Sequence, residues 1–315
     1  GALFTLGAHR PVAPSSACVA IAQDRVKEKA HFVQSAPTSG VFPAPYAAID
    51  TADLLAAAPA DLLPGILKTA RMGYDGKGQV RVSTRDELAA AWAQLGQVPC
   101  VLEKLMPLRA ECSVIVARGA DGTCVSYPVQ KNTHRDGILA LTEVHEGVID
   151  PALAQRAQQA TVAIAHQMNY VGVLCVEYFI VDNGQGGTDL VVNEMAPRPH
   201  NSGHYTQNAC DVSQFELQVR AMAGLPLREV RQHSPAIMLN ILGDLWFPEG
   251  ADKTARSPAW DRVLALPGTH LHLYGKLDAR PGRKMGHLNI TGTTVAEVKA
   301  TAAQAAALLG LPTLS

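Results

Sequence analysis

The chain has 315 residues, 47% hydrophobic and 17% charged, with a formal net charge of −1. That composition describes a soluble globular protein of two or three domains. It excludes a nucleic-acid surface and a polybasic membrane anchor, so any affinity for phosphorylated ligands must come from local clusters.

The opening GALFTLGAHRP has neither an initiator Met nor the strand-and-glycine start of an α/β domain, and it reads as the beginning of a fragment. Residues 14–34 start with a Ser cap and carry helical charge spacing, which predicts one helix. PTSGVFPAPY is a Pro-rich connection, and TADLLAAA reads as another helix. LPGILKTA is a strand leading into RMGYDGKGQ, with VRV as its return strand. TRDELAAAWAQL has a Thr cap and a 3.6-residue period, hence a helix. VPCVLEKLMP is a strand ending in proline. ECSVIVARGADGTCVSYPVQ reads as a hairpin around GADG, and DGILALTEVHEG as extended chain. DPALAQRAQQATVAIAHQM is the strongest helix, and SQFELQVRAMAGL is a further one ending at Gly224 with Pro226 just beyond. A break near 228–235 begins a smaller unit, in which HLHLYGK and GHLNITG alternate like strands and TTVAEVKATAAQAAALLG closes as a helix. The class is α+β, mostly antiparallel strands with helices packed on them. The six cysteines, Cys18, Cys100, Cys112, Cys124, Cys175 and Cys210, show no paired spacing and suit reduced thiols in a cytoplasmic setting. No apolar run reaches membrane-spanning length, and no signal-peptide pattern opens the chain.

The chemistry concentrates between Val173 and His204. Two apolar runs, VLCVEYFIV and LVVNEM, flank the turn cluster DNGQGG and read as an antiparallel hairpin. Each run carries one glutamate, Glu177 and Glu194, and strand pairing would bring the two carboxylates within about 5 Å. Like charges that close call for a proton or a cation between them, and a hard divalent ion such as Mg²⁺ fits. An acid–base dyad and two water-facing side chains are the alternatives. PRPHNSGH follows directly and crowds Arg198, His200, Asn201, Ser202 and His204 into an anion-binding loop or an irregular turn.

Three other stretches carry charge in suggestive places. Lys68 precedes GYDGKGQ (Gly73, Tyr74, Asp75, Gly76, Lys77, Gly78, Gln79), where glycines let backbone N–H groups approach phosphates and the lysine supplies a point charge. The spacing is not a Walker A pattern, and an Asp-Gly hairpin turn is the plainer reading. Glu103, Lys104, Leu105 and Met106 end a strand whose linker could pair an adenine edge, with a carboxylate such as Glu111 reaching a ribose hydroxyl, though a Glu after an apolar run is usually a solvated strand end. Lys276 and RPGRKMGHLN, with Arg283 and Lys284, could clamp a phosphate or could simply be a solvated basic turn. His270 and His272 fall at strand period and read as sheet residues.

Taken together, KTARMGYDGKGQ, YPVQKNTHRDGIL, YVGVLCVEYF, NEMAPRPHNSGHYTQNACDVSQFELQVRA and RPGRKMGHLN resemble the ATP-grasp superfamily. More narrowly, they resemble the 5-(carboxyamino)imidazole ribonucleotide synthases of de novo purine biosynthesis, from about residue 10 to 290. The resemblance implies an ATP-grasp fold, two α+β subdomains sandwiching ATP, plus a small β-rich C-terminal domain. It assigns 1–30 to a remnant of an N-terminal domain and linker helix, 31–230 to the ATP-grasp domain with a lid at about 42–107, and 231–315 to the C-terminal domain. Lys68, the loop 73–79, Glu103 to Met106, Glu111, His134, Asn193 and Glu194 would bind ATP. Glu177 and Glu194 would hold Mg²⁺, with Mn²⁺ as an alternative. Tyr74, Asp75, Lys77, Asn201, Ser202 and Arg283 would face the aminoimidazole ribonucleotide. Arg198, His200 and Lys276, with Asp75, would serve the bicarbonate chemistry. The family's N-terminal domain, which helps form the ribonucleotide site and usually the homodimer, is expected to be missing. Other ATP-grasp ligases share the ATP machinery but not APRPHNSGH or RPGRKMGHLN. A module that binds nucleotide without turnover is the non-enzymatic alternative. Nucleic acid and membrane are not expected partners.

Overall fold

The computed structural model describes residues 2–9, 12–73, 76–247 and 255–313. Two sheets face each other across a cleft. After a two-residue strand β1 (Phe42–Pro43), strands β2 (Tyr46–Ile49), β3 (Gly65–Thr69), β4 (Gln79–Val82) and β5 (Cys100–Lys104) form a small antiparallel sheet in the order β2-β5-β3-β4. The helix Arg85–Gln94 covers it. Thr84 caps the Glu87 N–H, and Leu88, Ala91 and Trp92 fall on one helical face. Those residues meet Ile49, Leu67, Val82 and Leu102 in a separate small core.

The large sheet contains β6 (Leu108–Arg118), β7 (Cys124–Ser126), β8 (Gln130–Arg135), β9 (Ile138–Val144), β10 (Gly172–Asp182), β11 (Thr188–Ala196), β12 (Ala236–Leu242), β13 (Thr269–Leu273) and β14 (Lys284–Thr291). Its order among the described residues is β1-β11-β10-β6-β8-β9-β12-β14-β13, with β7 paired to β6. Strand β10 lies at the centre of one half and is buried along nearly its whole length, as expected of a strand covered on both faces. One face is covered by Pro151–Gln167, where Asp150 caps the first turn and Leu153, Ala157, Ala160, Thr161 and Ile164 form the buried stripe. The other face is covered by Gln214–Met222 through Leu217. The helix Val295–Leu308, started by a Thr294/Glu297 capping box, covers β12 and β14. Each large apolar side chain buried in these layers contributes roughly 1.5–3 kcal/mol. All six cysteines are free thiols.

Several sequence expectations change. The single helix over 14–34 is two, Ser16–Ala22 and Arg25–Ser39. Asp24 adopts an extended conformation and caps Val26 and Lys27, while the Arg25 N–H bonds the Ala70 carbonyl. The second helix runs through Pro37 to Ser39 and is ended by Gly40 at φ 70°, so Pro37, Thr38 and Ser39 are helix rather than connection. KNTHR, left between two recognised segments, belongs with Gln130 to strand β8. The strands after 235 do not close on themselves: β12 pairs with β9, placing Ala236 opposite Val144, so they extend the large sheet.

On β13 and β14, His272 pairs with His287. Their rings stack at 4.6 Å, and His204 stacks on His287 at 4.3 Å. The Tyr274 hydroxyl lies 2.9 Å from His287 Nδ1. Burial, with the cost of placing a charge beside neighbouring histidines second, depresses His204 to about 3 and His287 to about 2. The column is therefore a neutral packing element, consistent with the reading of His272 as a sheet residue.

Candidate active site

The cleft between the sheets has a volume of about 930 Å³. Its floor is the β10–β11 hairpin. Glu177 and Glu194 are directly opposed, and the register then shifts so that Tyr178 opposes Val192. Asn193 is the extra residue of this bulge, a device that re-aims side chains beside sites. Glu177 is buried, with Oε1 3.0 Å from His200 Nε2 and Oε2 3.9 Å from His134 Nε2. His134 Nδ1 is 2.8 Å from Glu111 Oε2, across the β6–β8 pair. Ligand atoms of Glu111, His134 and Glu177 all lie within 4.8 Å of one another.

Charges on this floor are mutually fixed. Burial opposes a charged His200, but the Cys175 sulfur and the Glu177 carboxylate favour it and raise it to about 10. Burial likewise opposes a charged His134, and Glu111 reverses the balance upward. Glu194 meets the Arg25 guanidinium at 2.9 Å. Burial works against its ionisation, yet Arg25 holds it below the usual carboxylate range. Glu28 behaves in the opposite way: burial first, then the nearby Glu194, raises it to about 8, while its Oε1 accepts the Met195 N–H at 2.7 Å.

The roof comes from the small sheet. Lys68 on β3 and Glu103 on β5 are both buried and joined at 3.2 Å. The backbone beyond Glu103 is partly committed: the Lys104 and Leu105 N–H groups donate to the Pro45 and Pro64 carbonyls at 2.9 and 3.0 Å. The Met106 N–H has no backbone partner among the described residues. The glycine loop folds back on β3, where the Thr69 N–H donates to the Gly78 carbonyl at 2.8 Å. Gly78 has φ 73°, and a Cβ there would lie 2.7 Å from Thr69 Oγ1. At Gly76 a Cβ would lie 3.0 Å from the Asp136 carbonyl, so the loop reaches across to the β8–β9 turn. Tyr74 and Asp75, expected at the ribonucleotide, lie outside the described residues.

The loop after β11 supplies the remaining groups. Arg198, His200 and Asn201 line the cleft. Asn201 is 8% exposed, and both of its amide atoms lack hydrogen-bond partners among the described residues. Ser202, expected at the substrate, is instead fully buried, bonded to Ser113 Oγ at 2.8 Å and to His200 Nδ1 at 2.9 Å. It orients the imidazole from behind. Lys276 and Arg283 do not line the cleft. Lys276 Nζ donates to the Lys284 carbonyl and lies over the Tyr274 ring, and Arg283 donates to the Asp278 carbonyl.

Sequence reasoning missed Arg25, Glu28 and Lys29. On the helix Arg25–Ser39 they share the stripe of Phe32 and Ala36, which is buried. QDRVKEK looks like a solvated charge run; the signal is that its charges continue the apolar stripe one turn earlier.

The arrangement is suited to an anionic ligand that brings a metal. Cations approach from three elements, paired carboxylates sit below, and hard oxygen donors suit Mg²⁺. No exposed nucleophile is present among the described residues lining the floor: Cys175 and Ser202 are fully buried.

Comparison with known proteins agrees with this geometry. Residues 34–215 match the ATP-grasp domain family, and residues 236–301 match the phosphoribosylaminoimidazole carboxylase C-terminal domain. The chain is 41% identical over 280 residues to the N5-carboxyaminoimidazole ribonucleotide synthase of Brucella melitensis, covering 88% of this chain and 72% of that protein. It is 38% identical over 288 residues to the Bacillus subtilis enzyme of the same name, covering 91% and 71%. Among solved structures, the Thermus thermophilus synthetase superposes with a TM-score of 0.86 at 33% identity, covering 99% of this chain and 79% of that one. The Aspergillus clavatus synthase, in complex with ADP and 5-aminoimidazole ribonucleotide, superposes with a TM-score of 0.83 at 28% identity, covering 98% and 79%.

Proposed function

The chain belongs to the N5-carboxyaminoimidazole ribonucleotide synthase family of ATP-grasp ligases, and from that premise we infer how its own residues carry out the ATP-dependent carboxylation. The observation that carries the reading is the Glu177–Glu194 pair, opposed across one hairpin beneath cations from the facing sheet and the Arg25 helix. The adenine lies along Glu103 to Met106, with the Met106 N–H as donor, and the ribose lies near Glu111. Lys68 and Arg25 meet the phosphates. Glu177 and Glu194 would hold Mg²⁺, which neutralises phosphate charge and polarises the γ-phosphoryl group when bound.

Bicarbonate sits by Arg198, His200 and Asn201. A bicarbonate oxygen attacks the γ-phosphorus, the bond to the β-phosphate oxygen breaks, and ADP leaves with carboxyphosphate formed. The exocyclic amine of 5-aminoimidazole ribonucleotide then attacks the carboxyl carbon. Phosphate departs, the amine loses its proton, and a carbamate remains. Asn201 has both a donor and an acceptor unsatisfied and is matched to a planar oxyanion beside an amine. His200, held protonated over Glu177 and oriented by Ser202, contributes positive charge where the carboxyphosphate oxygens develop negative charge. Catalysis is positioning and charge neutralisation, with no covalent enzyme intermediate. The glycine loop, already reaching Asp136, excludes water from a labile intermediate. The experiment is ¹³C NMR with labelled bicarbonate, ATP, Mg²⁺ and the ribonucleotide. A carbamate resonance that needs all four components supports the reading; phosphate release with no carbamate overturns it.

A further inference from the structure

One buried cation beside the site is unused in that mechanism. Lys29 has a fully buried side chain and does not line the cleft. Its Nζ lies 3.1 Å from Glu103 Oε2 and donates to the Asn193 carbonyl at 2.9 Å. The acceptor is the bulge residue next to the opposed glutamates, so Lys29 ties the small sheet to the hairpin of the large one. Lys68 approaches the same Glu103 oxygen at 3.2 Å from the cleft side. Glu103 Oε1 has no hydrogen-bond partner among the described residues. Two lysines therefore share one oxygen of one buried carboxylate, and only Lys68 faces the cavity. A buried carboxylate stripped of its counter-ion is strongly disfavoured. With a single lysine, Glu103 would hold it; with two, one can leave.

We propose that Lys29 is the standing counter-ion of Glu103, a positioning residue that frees Lys68 to release that carboxylate and meet the phosphates of the bound nucleotide. The trio carries one net positive charge, and Lys29 makes that charge deliverable to the cleft. Burial depresses the Lys68 ammonium, and Glu103 opposes this, so Lys68 is a cation in need of an anionic partner. The proposal rests on the nucleotide reading above, and the experiment separates the two.

Calorimetry on the full chain with Mg²⁺ compares ATP with adenosine, and the ratio of their affinities reports the phosphate contribution. Lys68→Met is expected to lower that ratio by about tenfold, the scale of one charge-assisted hydrogen bond. Lys29→Met is expected to lower it about as far with Lys68 intact, because Glu103 then captures Lys68. The double variant Lys29→Met/Lys68→Met should fall no further than either single variant. If Lys29→Met does not fold, Glu103→Gln and Lys29→Met/Glu103→Gln decide. With the carboxylate neutral, loss of Lys29 should leave the ratio unchanged within about threefold. A Lys29→Met ratio equal to wild type overturns the proposal, as does a clear difference between the two Glu103→Gln backgrounds. Wild-type protein that binds ATP no better than adenosine would remove the nucleotide reading, and the proposal with it.

Discussion

Between pH 8 and pH 5 the histidine column should make its own destabilising contribution to the acid response of the fold, opposite in sign to that of the raised His200 and Glu28, and it is isolated by comparing wild type with a variant that lacks one imidazole. His204 and His287 stack at 4.3 Å and are held neutral, down to about 3 and about 2 respectively, chiefly by burial. In the unfolded chain each titrates near 6.5. The stabilising difference is fully present above that value and is lost as pH falls from about 6.5 toward 3, because the unfolded state binds two protons that the native state refuses. The column alone contributes a slope of roughly 3 kcal/mol per pH unit for two protons, and its share of the stability change between pH 8 and pH 5 is roughly 4 kcal/mol. Urea midpoints measured at pH 8, 7, 6 and 5 give the curve. His287→Phe keeps an aromatic ring in the stack and removes one titrating group, so its stability at pH 5 relative to pH 8 should exceed the wild-type difference by about 2 kcal/mol. It should also cost about 1 kcal/mol at pH 8 from the lost contact with Tyr274. Identical pH dependence in wild type and His287→Phe would refute the assignment of acid sensitivity to this column.

Other expectations follow from the site. Asn201→Ala removes an amide without a hydrogen-bond partner among the described residues, so its thermal midpoint should stay within about 2 °C of wild type while turnover falls about tenfold or more. A matched loss of stability would instead make Asn201 structural. Glu177→Gln and Glu194→Gln should each reduce ADP release by on the order of a hundredfold while adenosine binding survives; retained activity in both would remove the hairpin from the mechanism. Gly203→Ala forces a Cβ to 2.3 Å from Ile115 Cδ1 and 2.5 Å from Gln214 Oε1, directly after Asn201 and Ser202. A cost of roughly 1–3 kcal/mol is expected in denaturant melts, together with lower turnover.

The central hairpin was legible because its physics is local. Apolar, β-branched runs marked β10 and β11, DNGQGG marked the turn, and the opposition of Glu177 and Glu194 follows from pairing register. Capped helices such as Arg85–Gln94 and Pro151–Gln167 carry their start signals in sequence. Strand β8 was not legible. It is buried on one side through Gln130 and Asn132, which are satisfied by Ser113 and Thr142, so it lacks the apolar alternation that announces a strand. The Ser202 hydroxyl looked like a ligand group because its partner Ser113 lies 89 residues away. The role of the Arg25 helix was hidden for the same reason: Glu194, Asn193 and Glu103 meet it only after both sheets have folded.

The most direct test is ADP release by the full chain with Mg²⁺ and ATP, with bicarbonate and 5-aminoimidazole ribonucleotide present or omitted. Release that requires bicarbonate and rises with the ribonucleotide is the predicted result. ADP release indifferent to both, or no release despite calorimetric binding of ATP and the ribonucleotide, would contradict the account.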